Sequence, residues 1–282
     1  MKKLIVFLLI AFLVKFADAQ DIQLAETGDY KRFVSSTTYV VKIPDPFSIY
    51  NGVIEEILAK MWTITDYEVI EWTEFEQKKS DSKSSFIFLS EAQRVENNKV
   101  LRYNILNLVM GSKYNDINKM PDLGSVPLSY ADDEFSEEEQ SYVYKLAGVL
   151  QFMQYYVNYQ IANPGTKLQD VVNKEREELH KKELWLVEDD LESSINSLSK
   201  IKKYYKHAVK IVSREDIENA IFENNPNVAY LHLVAPKSNT DKSKCWKFIL
   251  SAEDGKPLFY SYTKTNDKNP GKLLGKDLKK MN

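Results

Sequence analysis

Apolar residues in the second half of the chain alternate between short continuous runs and helical spacing. The run at 184–187 predicts a strand, and the apolar spacing over 191–205 predicts an amphipathic helix. The further predicted elements are a strand at 209–212, a helix at 213–222 with Ser213 as its N-cap, strands at 228–234, 245–250 and 258–263, and a closing helix at 273–281. This alternation favours an α/β fold, with an α+β arrangement as the alternative.

The first half shows nearly the same order, displaced by about 140 residues. Its predicted elements are strands at 39–43, 67–72, 86–89 and 101–110, a helix at 47–62, and a short helix after Thr73 as N-cap. Local similarity is visible between 69–76 and 209–216, although few residues are identical. We therefore expect two similar small mixed-sheet domains. The alternative is that strands and helices of any α/β sheet resemble one another.

The element order of the second half is similar to that of thioredoxin-like domains. The chain has one cysteine, Cys245, and no Cys-x-x-Cys, so the resemblance implies no redox chemistry and no intramolecular disulfide can form. Since fold alone does not give function, the resemblance is limited to topology. The predicted organisation is a signal peptide at 1–19, an N-terminal α/β domain at 33–130, connecting helices at 131–183 and a C-terminal α/β domain at 184–282.

The predicted connecting segment contains a helix that is rich in tyrosine. It begins at the capping-box pattern Ser136-Glu137-Glu138-Glu139 and continues to 161. A more charged second helix is expected at 166–182. Tyrosine suits contact surfaces because it joins an apolar ring to a polar tip. The helix holds more tyrosine than one buried stripe requires, so Tyr144 and Tyr155 are the candidate interaction surface.

The N-terminus has the pattern of a secretory signal peptide. Lys2 and Lys3 precede an apolar run at 4–14, and Ala17-Asp18-Ala19 has the small-x-small pattern of a cleavage site. Cleavage is expected near Ala19-Gln20. We expect the mature protein to be periplasmic or secreted, with no transmembrane segment, since no later stretch is long and apolar enough to span a bilayer.

Composition removes several classes of function. Lys and Arg number 38 against 41 Asp and Glu, so the chain lacks the positive excess that nucleic-acid binding requires. Only 9 glycines are present, where an average usage near 7% would give about twenty. Glycine-rich phosphate loops are therefore disfavoured. No cofactor is expected.

Residues that could perform chemistry are few. In an antiparallel hairpin with Val234 opposite Cys245, His232 would share a face with the thiol and could lower its pKa. A shift of one residue would place the two on opposite faces, and packing in a strand is the simpler interpretation. His180, His207 and His232 lack the spacing of a metal site, and the acidic residues near 132–139 lack the pattern of a calcium loop.

These observations favour a non-catalytic binding protein. The first hypothesis is an interaction module that engages an envelope or extracellular protein. The alternative is a periplasmic binder of a small ligand or glycan, with its site between the two halves. A hydrolase with dispersed carboxylates is the third, because paired acids need no local sequence signature.

Overall fold

The computed structural model describes residues 22–96, 99–114, 116–131, 139–236, 243–266 and 269–282. The predicted signal peptide, the cleavage site and most of the predicted capping box at 136–139 lie outside these residues. The described residues form two mixed five-stranded sheets with helices, which confirms the α/β prediction. No helix among them is both long and apolar enough to cross a membrane.

The first sheet has the strand order β2-β1-β3-β4-β5. Its first three strands are parallel, and β4 is antiparallel to both of its neighbours. The elements of this half are α1 (Thr27–Phe33), β1 (Thr37–Val41), α2 (Ile49–Met61), β2 (Asp66–Ile70), α3 (Trp72–Lys78), β3 (Ser85–Glu96), β4 (Lys99–Met110) and β5 (Val126–Tyr130).

The second sheet repeats this topology, with the order β7-β6-β8-β9-β10. Again the first three strands in the chain are parallel and the next two are antiparallel. The connecting helices are α4 (Leu146–Ala162) and α5 (Leu168–Glu175), and the elements after them are β6 (Glu183–Leu186), α6 (Leu198–Ile201), β7 (Val209–Ile211), α7 (Arg214–Phe222), β8 (Val228–Val234), β9 (Lys244–Ser251), β10 (Pro257–Lys264) and α8 (Gly275–Lys280).

The two halves agree in detail as well as in strand order. In each half the helix after the second strand begins with a capping box, Glu71 with Glu74 in α3 and Ser213 with Asp216 in α7. The prediction of Thr73 as N-cap is wrong, because a carboxylate serves this role two residues earlier. The sheets are similar, as predicted, while the exact domain boundaries stay a prediction.

Helix α4 lies in a core that both halves share. Its apolar side chains join one cluster with residues of α1, α2 and the first sheet, and with residues of α7, β8 and β9. Most side chains of α4 itself are therefore buried, including those of the polar residues Gln151 and Gln154. Separate clusters cover the outer face of each sheet.

The predicted Tyr-rich helix is shorter than expected. A 3-10 turn at Val143–Lys145 precedes α4, and residues 136–138 lie outside the described part of the chain. The carboxylate of Glu139 accepts hydrogen bonds from Ser48 Oγ and from the backbone N–H of Ile49, at 2.7 and 2.6 Å. It therefore caps the N-terminus of α2, although it comes from a distant part of the sequence.

The prediction of one continuous helix over 191–205 is also wrong. The segment forms 3-10 turns at Glu188–Asp190 and Ser193–Ile195, followed by the single turn of α6. Leu191 bridges to Leu273, and the Glu192 carboxylate accepts the Ser194 N–H at 3.0 Å. Polar side chains that bond the local backbone compete with helix formation, which explains the interruption.

Candidate functional site

The order of the strands in the second sheet reverses at β6, which lies between the parallel strands β7 and β8. From β6 the chain runs outward to β7, and it then returns past β6 to form β8 on the other side. The segments that follow the two strands therefore leave in different directions and open a crevice at the carboxyl ends. In open parallel sheets this is the usual place for ligand binding.

A cavity of about 570 Å³ lies at this crevice. Pockets for small molecules usually measure about 300–1,000 Å³. The walls come from four parts of the molecule: β5 of the first half, the 3-10 turn before α4 with the residues next to it, the end of β8 with the segments that follow β6, β7 and β8, and the segment between β10 and α8. The lining residues are Ser129, Tyr130, Ser141, Tyr144, Lys145, Glu188, Asp189, Asp190, Leu191, Ser193, Asn196, Arg214, Leu233, Val234, Ala235, Pro236, Gly271 and Lys272.

Lys145 is the most unusual of these residues. It lies in the 3-10 turn before α4 and is 2% exposed. Its Nζ lies 4.8 Å from the centre of the Tyr144 ring, and it forms no hydrogen bond or ion pair with any residue that the structure describes. A buried cation without a partner is costly, so this position is unfavourable unless something else neutralises it.

Asp190, the last residue of the 3-10 turn that follows β6, lines the same cavity. Its backbone is fixed, because its carbonyl accepts the Leu273 N–H at 2.8 Å and its own N–H donates to Val187 at 3.1 Å. Burial raises the pKa of the Asp190 carboxyl above its ordinary value. Three nearby cations act in the opposite direction: Lys145, Lys272 and Arg214. Within the described ranges the Asp190 carboxylate has no hydrogen-bond partner.

Two of the other cations in the cavity make contacts within the protein. Arg214, the first residue of α7, lies 3.4 Å from the Asp189 carboxylate, and the Lys272 ammonium donates to the Asp189 carbonyl. The Arg214 guanidinium also stacks on Tyr144, 5.7 Å from the ring centre. Among the lining charges that are not exposed to solvent, Lys145 and Asp190 are therefore the two of opposite sign that have no hydrogen bond or ion pair within the described residues.

His232 connects the two halves beside the cavity. Its Nε2 lies 2.8 Å from the Pro127 carbonyl of β5, and its buried Nδ1 has no partner among the described residues. Burial lowers the pKa of His232 to about 3, and the charge of Lys145 acts in the same direction. The imidazole is therefore neutral at physiological pH and acts as a structural contact between β8 and β5.

The hairpin register separates His232 from Cys245. His232 lies opposite Phe248 and Val234 opposite Trp246, so the register differs by one residue from the arrangement that would bring the imidazole to the thiol. Cys245 lies on the other face of the sheet, where burial raises the pKa of the thiol to about 11. A thiolate activated by this histidine is excluded by the geometry.

The two candidate tyrosines lie at different places. Tyr144 is buried in the wall of the cavity, whereas Tyr155 is half-buried in a shallow cleft near Asn224 and Asp254. The Tyr155 ring lies 6.2 Å from that of Tyr159, and burial followed by the charge of Glu175 raises its pKa. The structure does not bring the pair together on one surface, and their role in binding a protein stays a prediction.

The sequence contained a signal for part of this site. Charged residues at 188–190 follow a predicted strand directly, and parallel strands place such residues at one edge of a sheet. Arg214 follows the next strand in the same way. Lys145 gave no signal, because one lysine among apolar residues at helical spacing is indistinguishable from a solvent-exposed position.

At the end of β1, the equivalent position in the first half, polar side chains are bonded within the protein. The Asn51 side chain bonds the backbone N–H and carbonyl of Ile43, at 2.9 and 2.8 Å. Lys42, which follows β1, pairs with Glu55 at 2.9 Å. The charges at these strand ends are therefore compensated, in contrast to those around Lys145.

Metal binding has no support in the described residues, where no group of three His, Cys, Asp or Glu side chains could hold an ion. The stacked rings of His180 and His207, 3.8 Å apart, lie near the C-terminus, where His180 Nε2 contacts the Met281 carbonyl. Comparisons with known proteins found no matching family model, no matching curated protein and no matching solved structure.

Proposed function

We propose that the protein is an exported, non-catalytic binder of a small polar molecule, held in the cavity at the carboxyl ends of β6 and β8. The observation that carries this proposal is Lys145, a buried cation that lines the cavity and has no hydrogen bond or ion pair among the described residues. Buried charges in native proteins are normally paired. A bound molecule would supply the missing partner. Export rests on the signal-peptide pattern of the first 19 residues.

The position of the cavity supports binding over a structural void. It lies where the strand order reverses, between parts of both halves, and ligand sites are commonly found at such places. Its walls combine charged groups with the apolar side chains of Leu233 and Ala235. Such a mixture holds a ligand by polar contacts at one end and by apolar contacts at the other.

The test is thermal unfolding of the mature protein with a library of amino acids, amines, carboxylates, sugars and nucleosides. A ligand that binds only the native state raises the melting temperature. Ser193→Trp places a bulky ring at the exposed rim of the cavity and should abolish the shift. Ser199→Trp, also exposed but outside the cavity, is the matched control and should retain it. If no compound raises the melting temperature, the proposal is wrong.

A second candidate function, engagement of an envelope or extracellular protein, is favoured by the β3–β4 hairpin. These strands pair along their full length, whereas β1 contacts β3 only up to Ile87 and β5 contacts β4 only from Tyr103 to Leu106. The hairpin therefore extends beyond the sheet. Near its tip Val95 and Val100 lie opposite each other and are 53% and 52% exposed. Exposed apolar pairs on open strand edges are suited to pairing with another chain.

Affinity capture from the native envelope tests this candidate. The double change Val95→Ser and Val100→Ser should remove a partner that the unchanged protein captures. Val34→Ser, at another exposed valine, is the control and should leave capture unchanged. Equal capture by the double variant and the unchanged protein would contradict a role for the hairpin tip.

A further inference from the structure

The charges that line the cavity restrict the chemical class of the ligand as well as its size. This inference rests on the proposed function. The lining holds three cations, Lys145, Arg214 and Lys272, and three acids, Glu188, Asp189 and Asp190. The site as a whole is therefore balanced in charge. A purely anionic or purely cationic ligand would leave the cavity with a net charge.

Contacts within the protein already compensate part of this set. Asp189 receives the Arg214 guanidinium on its carboxylate and the Lys272 ammonium on its carbonyl. Glu188 is exposed to solvent, which screens its charge. Lys272 keeps its charge but has a hydrogen bond, so the two groups that are neither exposed nor bonded are the ammonium of Lys145 and the carboxylate of Asp190.

These two groups face one cavity without forming an ion pair with each other. Their separation is informative, because a charge that is buried, like Lys145, or half-buried, like Asp190, is unfavourable without a hydrogen-bonded counter-charge. A ligand that carries both signs would satisfy both groups at once. An anion alone would meet repulsion from Asp190, and a cation alone would leave Lys145 unpaired.

We infer that the ligand is a small zwitterion, an α-amino acid or a short peptide, whose carboxylate binds Lys145 and whose ammonium binds Asp190. The Tyr144 ring, Leu233 and Ala235 form the apolar wall beside these charges. Tyr144 is held in place by cations on its ring, since both Lys145 and Arg214 approach it. An apolar side chain on the ligand would pack against this wall.

Calorimetric titration of the mature protein tests the charge requirement directly. The probes are L-leucine and Ala-Ala, and each is compared with analogues that lack one charge. For leucine these are 3-methylbutylamine and 4-methylpentanoate, and for the dipeptide they are the C-terminal amide and the N-acetyl form. Each analogue is expected to bind at least tenfold more weakly than its parent. Preference for leucine or for Ala-Ala identifies the source of the zwitterion.

Variants of the two charged residues provide the second arm. Lys145→Met and Asp190→Asn should each weaken binding of the better parent probe at least tenfold. Lys203→Met and Asp170→Asn, at exposed positions outside the cavity, are the controls and should bind like the unchanged protein. Cooperative unfolding of each variant establishes that it is folded.

The inference is overturned if an analogue with one charge binds as tightly as its parent, or if Lys145→Met and Asp190→Asn retain full affinity. It is also overturned if a neutral sugar or a nucleoside raises the melting temperature in a manner that Ser193→Trp abolishes, while no zwitterion binds. That result would leave the proposed function intact. A library in which no compound binds would contradict the proposed function itself.

Discussion

At the scale of single residues, Lys145 and His232 show how the cavity region departs from ordinary packing. Lys145 is 2% exposed and has no ionic partner among the described residues, and His232 is buried with a free Nδ1. Both lie where the 3-10 turn before α4 meets β8 and β5. Two uncompensated polar groups in one region lower stability, and natural proteins retain such groups mainly where binding needs them.

Replacement of Lys145 by methionine is expected to make the free protein more stable while removing ligand binding. Methionine keeps the apolar stem and removes a buried charge that has no hydrogen bond or ion pair among the described residues. A gain of about 1 kcal/mol would raise the melting temperature by roughly 2–4 °C for a chain of this size. Calorimetry of the ligand-free protein measures the shift. A lower melting temperature would mean that the ammonium stabilises the fold.

Stability should fall as pH decreases below 6.5 because of His232. The folded protein holds the pKa of this residue at about 3, against an ordinary value of 6.5. Below pH 6.5 the unfolded chain takes up a proton at this site and the folded chain does not. The free energy of unfolding should therefore decline by at most about 1.4 kcal/mol per pH unit from this group.

Urea unfolding between pH 4 and pH 8 measures this dependence. His232→Gln should reduce the slope below pH 6.5 by about one proton and leave the slope above pH 7 unchanged, since the imidazole is neutral in both states there. An identical slope in both proteins below pH 6.5 would show that His232 takes up its proton in the folded state too.

At the scale of elements, an internal ion pair fixes α8 to the second sheet. Lys247 of β9 and Asp277 of α8 are both fully buried, with Nζ and Oδ2 2.5 Å apart. The same Oδ2 accepts the backbone N–H of Leu274 at 3.1 Å, so the carboxylate also caps the helix. The Asp277 side chain therefore caps the start of α8 and also holds this helix against β9.

Lys247→Met should destabilise the protein by about 3–5 kcal/mol, because it leaves the Asp277 carboxylate buried without a counter-charge. The double variant Lys247→Met with Asp277→Asn removes the charge but keeps an oxygen to cap Leu274. It should regain part of the loss. Urea unfolding at pH 7 compares the three proteins. A double variant less stable than the single one would contradict this explanation.

Apolar runs in the sequence predict the positions of most strands, because a buried strand is apolar whichever strands it pairs with. Elements that depend on distant contacts escaped prediction. β5 is short and contains Pro127, which an edge strand tolerates but which obscures the pattern. The extended bridge at Leu191 depends on Leu273. The register of β8 and β9 is likewise set by packing on both faces of the sheet.

The site was predictable only in its outline. Acidic residues after a strand mark the edge where Asp190 lies, but its partners arrive from other parts of the chain. Lys145 is recognised as a site residue only because it is buried, and its burial depends on how α4 packs between the halves. A site between the halves is the second hypothesis from sequence, whereas the chemistry of the site depends on the packing that buries Lys145 beside Asp190.

At the scale of the whole molecule, α4 joins two similar sheets through one core. Its side chains pack on α1 and α2 on one side and on α7, β8 and β9 on the other. Gly148 permits the closest approach, since a Cβ there would lie 1.9 Å from the Tyr230 hydroxyl. The halves are similar in topology but share their stabilising contacts.

The fragment 22–131, which lacks α4, should not fold by itself. Without α4 the apolar faces of α1 and α2 are left uncovered. Expected observations are a weak near-ultraviolet circular dichroism signal and binding of a hydrophobic dye, both typical of chains without fixed packing. Cooperative unfolding of the isolated fragment would show that the first half carries a sufficient core.

The position of α4 in the chain also has a consequence for the order of events during synthesis. A ribosome completes all five strands of the first sheet before it makes the helix that covers Ile54 and Leu58. Domains generally fold as units as they emerge. We expect the first half of this chain to complete its folding only after α4 has been made. Until then its apolar surfaces are accessible to chaperones. The middle of the sequence therefore sets the moment at which the N-terminal half can fold.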